Sequence, residues 1–321
     1  MDYKKIVVAG GGVLGSQIAF QTAYCGYEVI ILMRKEDSKS EAKKKLETLR
    51  DTYLKTITSM AKGDGKEVWA SGIASPEDFN RHACVKKVNK AYESIKFETD
   101  QTKALMDADL LIESITENIG IKADFYEQIA PLLPEKTVIV TNSSTLLPSS
   151  IASYTGRPEK FLALHFANAI WKNNTAEVMG HDKTYDKYFD EIMAFAESIN
   201  MIPLAVREEK AGYLLNSMLV PFLLSAMDLV ANGVSDPETI DTAWTRGTGA
   251  PHGPFKIIDT VGLITAKNIV MQYQKVPGIL SPLLKKMLLP YNYKKMLEML
   301  NEYIDAGKIG KSAGEGFYKY K

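Results

Sequence analysis

Of the four histidines in the chain, His82, His165, His181 and His252, His165 stands in the setting that could move a proton. It ends an apolar run, residues 161–165, that reads as a strand, and Phe166-Ala167-Asn168 follows it. Glu177 comes twelve residues later, in the next strand-like run at 175–179. Adjacent or antiparallel strands would bring the two side chains together. A carboxylate on one imidazole nitrogen fixes the tautomer and leaves the other nitrogen to take or give a proton. Thr141-Asn142-Ser143-Ser144, at the end of another candidate strand, adds hydroxyl and amide groups. Ligands of parallel α/β sheets collect at the carboxyl ends of strands, where all these residues fall. Taken alone, a histidine at a strand end is more often structural; its carboxylate and hydroxyl partners are what point to acid–base chemistry.

A second constellation binds rather than reacts. Gly10, Gly12 and Gly15 fit G-x-G-x-x-G, with Val13 and Leu14 between the last two. The first glycine permits a tight turn, the second lets backbone approach a pyrophosphate, and the third seats a helix closely on the strand. No Lys-Ser/Thr pair follows, which excludes a P-loop. A second strand in such a unit ends in an acid when the ligand is NAD. Here that position is Arg34, followed by Lys35, and a cation there suits the 2′-phosphate of NADP(H). The alternative is NAD(H), with Arg34 an exposed loop residue and Glu36 or Asp37 reaching the ribose.

These residues need a sheet to hold them. Residues 6–9 form a short apolar run, 16–24 carry helical spacing stopped by Gly26, and 29–32 make a second apolar run, which is a βαβ unit. From 38 to 92 the chain becomes charged and helical, an excursion off the sheet. Strands resume at 94–97, 109–115, 137–141 and 161–165, with a helix around 122–133, and 175–179 and 202–206 close the sheet around a helix at 185–198. Beyond 206 the strand signal ends. The pattern is helical, with loops at 247–251 and around Pro277-Gly278. The fold class expected is α/β: a Rossmann-type, largely parallel sheet domain over 1–206 with a helical-hairpin excursion, then an all-α domain over 207–321.

Composition narrows the partners. The chain has 321 residues, long enough for two domains, and 39 basic against 39 acidic residues give no net charge. A nucleic-acid binder and a disordered polyelectrolyte are not expected. Cys25 and Cys84 have no C-x-x-C spacing, so no disulfide scaffold and no metal site are expected, and a cytoplasmic location fits. The four apolar residues after Lys5 are too few for a signal peptide. The apolar stretch 211–230 is broken by Asn216, Ser217, Pro221 and Ser225, and reads as a buried helix rather than a membrane span.

The ordered motifs resemble those of the L-3-hydroxyacyl-CoA dehydrogenases over nearly the whole chain. Gly10-x-Gly12-x-x-Gly15 looks like the family's cofactor turn, and Ile112-Glu113-Ser114-Ile115-Thr116-Glu117-Asn118 like its (V/I)-E-A-(V/I)-x-E-(N/D) segment. Asn142-Ser143-Ser144 resembles N-(T/S)-S, and His165-Phe166-x-Asn168 with Glu177 resembles the catalytic pair. Gly212-Tyr213-Leu214-Leu215-Asn216 resembles G-(F/Y)-(I/V)-x-N, and Gly253-Pro254-Phe255 through Asp259-x-x-Gly262-Leu263 resembles G-P-F-x-x-x-D-x-x-G-L.

The resemblance implies hydride exchange between NAD(P) and carbon 3 of a short-chain 3-hydroxyacyl-CoA, in fatty acid metabolism, by a homodimer. His165 is then the acid/base and Glu177 orients it, while Ser144 and Asn216 hold the substrate oxygen, with Asn168 also on the substrate. Asn142, Glu113 and Glu117 are assigned to the nicotinamide and ribose. Lys55, with Lys39, Lys43, Lys44 and Lys45, could meet coenzyme A phosphates, although interleaved Glu41 and Glu47 also suit a plain solvated helix face. Two departures bear on the substrate. Ala169 replaces the proline of H-(F/P)-x-N-P, and the stretch 170–174 is unusually polar, with Trp171 either shaping a pocket or filling core. Alternatives are a dehydrogenase of a free hydroxy acid, as in relatives acting on gulonate or carnitine, and a catalytically silent cofactor-binding protein.

Overall fold

Ile6, Val7, Val8 and Ala9 are all buried, because β1 (Lys5–Ala9) is covered on both faces. Strands of that kind read as unbroken apolar runs. The computed structural model describes residues 3–63, 69–274 and 291–320, so the loop expected around Pro277-Gly278 lies outside the described residues. The chain divides into two compact units, Met1–Leu214 and Leu215–Lys321, against a boundary near 206 expected from where the strand pattern ends.

In the first unit β1 feeds α1 (Val13–Tyr24) through the glycines, and β2 (Glu28–Leu32) returns parallel to β1. The helix starts at Val13 rather than Ser16: Gly12 is its N-cap, so Val13 and Leu14 form the first turn. The charged excursion is a pair of helices, α2 (Ser38–Lys62) and α3 (Arg81–Ser94). It is anchored on α1 by Tyr53, whose buried hydroxyl donates to Gln21 Oε1 at 2.6 Å. The Trp171 ring lies against Tyr53, with centroids 5.4 Å apart, so of its two expected roles it takes the core one.

After β3 (Lys96–Glu98) and α4 (Gln101–Leu105) come β4 (Leu110–Glu113), α5 (Ile119–Ile129), β5 (Val138–Thr141) and β6 (Phe161–Phe166). β7 (Thr175–Met179), α6 (Asp186–Ser198) and β8 (Ile202–Val206) complete the sheet. Its order is β3-β2-β1-β4-β5-β6-β7-β8, and all pairs are parallel except β6 with β7. The eight residues between β6 and β7 are too few for a parallel crossover, so the chain folds straight back.

The second unit is helical: α7 (Leu215–Ala231), α8 (Pro237–Thr248), α9 (Pro254–Val261), α10 (Leu263–Tyr273) and α11 (Tyr293–Asp305). α7 is less buried than its apolar sequence suggests. It hides Leu223, Leu224, Ala226 and Met227, whereas Met218 is 67% exposed. The Gly-Pro-Phe signature proves architectural. Asp259 is buried and accepts from Phe317 N (2.8 Å), Tyr318 N (2.9 Å) and Tyr320 Oη (2.8 Å), tying the last residues to α9. A Cβ on Gly316 would stand 2.1 Å from Asp259 Oδ1, which explains the glycine there. Asp259→Ala leaves three donors without their acceptor and should cost about 2–4 kcal/mol in urea unfolding, against about 1 kcal/mol for Tyr320→Phe. Equal, small losses for the two variants would contradict this role.

Candidate active site

At the β1–β4 junction the strand order reverses, and a crevice opens there at the carboxyl ends of the strands. The cleft measures about 840 Å³, and Gly10, Gly12, Arg34, Ser38, Lys45 and Ser114 are among its lining residues. Each glycine has its own reason. Gly10 has φ +109°, and a Cβ there would lie 2.5 Å from the Ser114 carbonyl. A Cβ on Gly15 would lie 2.1 Å from the Gly10 carbonyl, so α1 could not approach the turn. Over Gly12 a Cβ would meet nothing within 4 Å. That open space sits at the α1 N-terminus, where free backbone N–H groups suit a pyrophosphate. The residues therefore fit a dinucleotide. Val13 is exposed and Leu14 is half-buried. Arg34 is exposed and lines the cleft; Glu36 instead pairs with Lys39 (2.9 Å) and accepts from Thr99 Oγ1 (3.4 Å).

Further along the sheet, the antiparallel register sets His165 directly opposite Glu177. His165 Nδ1 lies 2.8 Å from Glu177 Oε2, and both side chains are buried. A carboxylate can only accept, so Nδ1 carries the hydrogen and Nε2 is left to exchange a proton. Ser144 Oγ is 3.1 Å from Nε2. The other Glu177 oxygen accepts from Leu214 N at 2.9 Å, which fixes the carboxylate from both sides. Tyr213, missed in the sequence reading apart from its place in a motif, stacks on the His165 ring at 4.5 Å and 15°. Its hydroxyl donates to the Ser143 carbonyl at 2.7 Å, and burial pushes the phenol up, so it stays protonated.

The acidic segment after β4 forms a polar network. Glu113 is fully buried and accepts from Lys122 Nζ (2.6 Å), Thr141 Oγ1 (2.7 Å), Tyr126 Oη (3.1 Å) and Ile115 N (2.7 Å). Lys122 was not singled out from sequence; a lysine on an otherwise apolar helix face was the available signal. It is 1% exposed and also lies 3.6 Å from Glu117. Glu117 Oε1 accepts from Ser143 Oγ (2.6 Å), Ser144 N (3.1 Å) and Thr145 N (2.8 Å), so it shapes the loop that carries Ser144. Asn118 caps α5 by accepting from Ile121 N. Asn142 Oδ1 accepts from Phe166 N at 3.1 Å, joining β5 to β6 beside His165.

The remaining expected residues are placed as follows. Asn168 is exposed in the loop after β6, Lys55 is exposed on α2, and Lys39 and Lys45 pair with Glu36 and Glu41. Asn216 is the second residue of α7 and belongs to the second unit. Among the described residues no group of three or more His, Cys, Asp or Glu could hold a metal, and no helix is long and apolar enough to cross a membrane.

A doubly wound sheet with this turn and cleft defines a dinucleotide-binding oxidoreductase domain. The chain belongs to the 3-hydroxyacyl-CoA dehydrogenase family: the model for the family's NAD binding domain matches residues 5–209, and that for its C-terminal domain matches 212–320. Mitochondrial hydroxyacyl-coenzyme A dehydrogenase of Homo sapiens is 30% identical over 318 residues, 99% of this chain and 91% of its own. A 3-hydroxybutyryl-CoA dehydrogenase of Clostridioides difficile is 29% identical over 320 residues, 98% of this chain and 99% of its own. Among solved structures, a diketoreductase described as acting on dicarbonyl compounds is 43% identical, with a TM-score of 0.82 and full coverage of both chains.

Burial alone would raise the Glu117 carboxyl, but its Ser143 and Thr145 donors and Lys122 outweigh that and hold it below the usual carboxylate range. Such a group stabilises the native state above its unfolded value, about 4.3, and loses that contribution as pH falls through the lower folded value. Glu117→Gln should therefore be less stable than the wild type at neutral pH, with the gap closing as pH drops below about 4. A gap of equal size in both ranges of a pH-resolved unfolding series would contradict this.

Proposed function

We propose that the enzyme moves a hydride between NAD(P) and carbon 3 of a short 3-oxoacyl or 3-hydroxyacyl thioester. The observation that carries this is the Ser144–His165–Glu177 line at the sheet's carboxyl edge. A nicotinamide dinucleotide, when bound, supplies or receives the hydride. In reduction the His165 imidazolium gives the Nε2 proton to the former carbonyl oxygen, completing the alcohol; in oxidation neutral Nε2 takes it back. Glu177 keeps the ring in one tautomer, and Ser144 donates to the oxygen as charge builds on it. Asn142, Glu113 and Glu117 are assigned to the nicotinamide side, where Glu113 would act through Lys122. Asn168 and, by the sequence resemblance, Asn216 are assigned to substrate polar atoms, and Lys55 to a coenzyme A phosphate.

The 43% identity to a diketoreductase favours a second reading of the same chemistry, in which a free dicarbonyl compound replaces the thioester. The Ala169 departure is a difference beside the acid/base residue that fits this reading. NADP(H) is favoured because Arg34 lines the cleft and Glu36 is engaged elsewhere. A homodimer would cover the exposed Met218, Leu229, Val234 and Trp244 of the second unit, and the free thiols Cys25 and Cys84 suit the cytoplasm.

Reduction of acetoacetyl-CoA and of free 1,3-dicarbonyl acids and esters, each with NADH and NADPH, separates the readings. Turnover of the thioester is expected, and a free dicarbonyl turned over without any thioester activity selects the second reading. On the active substrate, His165→Gln should lower kcat by about a hundred- to ten-thousandfold; an unchanged kcat would refute the assignment. Arg34→Ala should reduce the NADPH-to-NADH ratio of kcat/KM by about tenfold or more. A wild-type enzyme that prefers NADH would overturn the Arg34 assignment.

A further inference from the structure

Gln17 is a buried polar residue on α1, 6% exposed, which the chemistry above leaves without a task. Both ends of its carboxamide are used. Nε2 donates to Asn168 Oδ1 at 2.8 Å, and Oε1 accepts from Ala169 N at 2.9 Å and from Ile170 N at 3.4 Å. The segment it grips is the loop that leaves β6 after Phe166, one residue beyond His165. Lys172 N and Asn173 N both donate to the Ala169 carbonyl, and Asn173 Nδ2 donates to the Asn168 carbonyl at 2.7 Å.

Ala169 is the position where the chain departs from the H-(F/P)-x-N-P pattern, and the structure gives that departure a partner. Its φ is +59°, a left-handed conformation that costs a non-glycine residue about 1 kcal/mol or more. Proline, held near −65°, could not adopt it, and has no N–H to give to Gln17. Alanine at 169 and glutamine at 17 are two halves of one arrangement.

The consequence falls on Asn168. Its Oδ1 accepts from Gln17 Nε2 and from Ala169 N at 2.9 Å, so the oxygen faces the protein. Nδ2 is left as the group the exposed side chain presents. We propose that Gln17 is a positioning residue that sets the Asn168 carboxamide as a hydrogen-bond donor toward an acceptor oxygen, carbonyl or carboxylate, of the bound substrate. The substrate role of Asn168 rests on the functional reading above; the Gln17–Asn168 link does not.

Two variants test it. Gln17→Met removes both grips, and Asn168→Asp keeps an acceptor for Gln17 while deleting the presented donor. In ¹⁵N-labelled protein the Asn168 side-chain amide, identified by its absence in Asn168→Asp, should shift in Gln17→Met. Both variants should raise KM for the carbonyl substrate about tenfold, with kcat within about threefold of wild type and, for Asn168→Asp, an unchanged melting temperature. An unmoved amide signal in Gln17→Met, or a wild-type KM in Asn168→Asp, overturns the proposal. A wild-type chain that reduces no carbonyl compound sinks the functional reading instead, and the amide signal still decides the Gln17 link.

Discussion

The site depends on one antiparallel pairing in an otherwise parallel sheet. Opposed residues of an antiparallel pair point to the same face with Cβ atoms about 5 Å apart, so the β6–β7 register alone delivers the Glu177 carboxylate to His165 Nδ1. Parallel neighbours joined by a helical crossover would place such a pair through two independent elements. Here eight residues separate β6 from β7, and the Ala169 turn that closes them is held by Gln17 from α1. The geometry of the His165–Glu177 pair and the path of the loop beside it are therefore one structural decision.

Around that pair the protein surrounds the histidine with satisfied polar groups. Glu177 is held by Leu214 N, the imidazole face is covered by Tyr213, and Tyr213 is held through the Ser143 carbonyl. The same loop is gathered by Glu117, which in turn lies beside the buried Lys122–Glu113 pair. Buried charges are costly unless each lone pair and proton is used, and Glu113 meets that condition with four donors. The network at the carboxyl ends of β4 and β5 is thus continuous, through Ser143 and Ser144, with the His165 imidazole near the end of β6.

Much of this was legible in the sequence for physical reasons. Strands buried on both faces produce apolar runs, so β1, β2 and β5 were readable to within a residue; the glycine turn announces itself because no other residue fits Gly10 or Gly15. The start of α1 was read three residues late, since Val13 and Leu14 follow three glycines and look like loop. What could not be read was the use of side chains whose partners come from distant elements. Glu113, assigned to the nicotinamide side by resemblance, is fully buried and accepts from Lys122, Tyr126 and Thr141. Gln17 showed no periodic signal, because its partners stand about 150 residues away. Trp171 could have served pocket or core until Tyr53 was seen beneath it.

On the proposed chemistry Glu177 acts through His165 and not independently of it. Single-turnover rates for Glu177→Ala, His165→Gln and the double variant, measured with saturating cofactor, test this most directly. If the carboxylate works only by holding the imidazole, Glu177→Ala slows the wild type strongly, while the double variant is no slower than His165→Gln within about twofold. Slowing by Glu177→Ala that is undiminished in the His165→Gln background would contradict it.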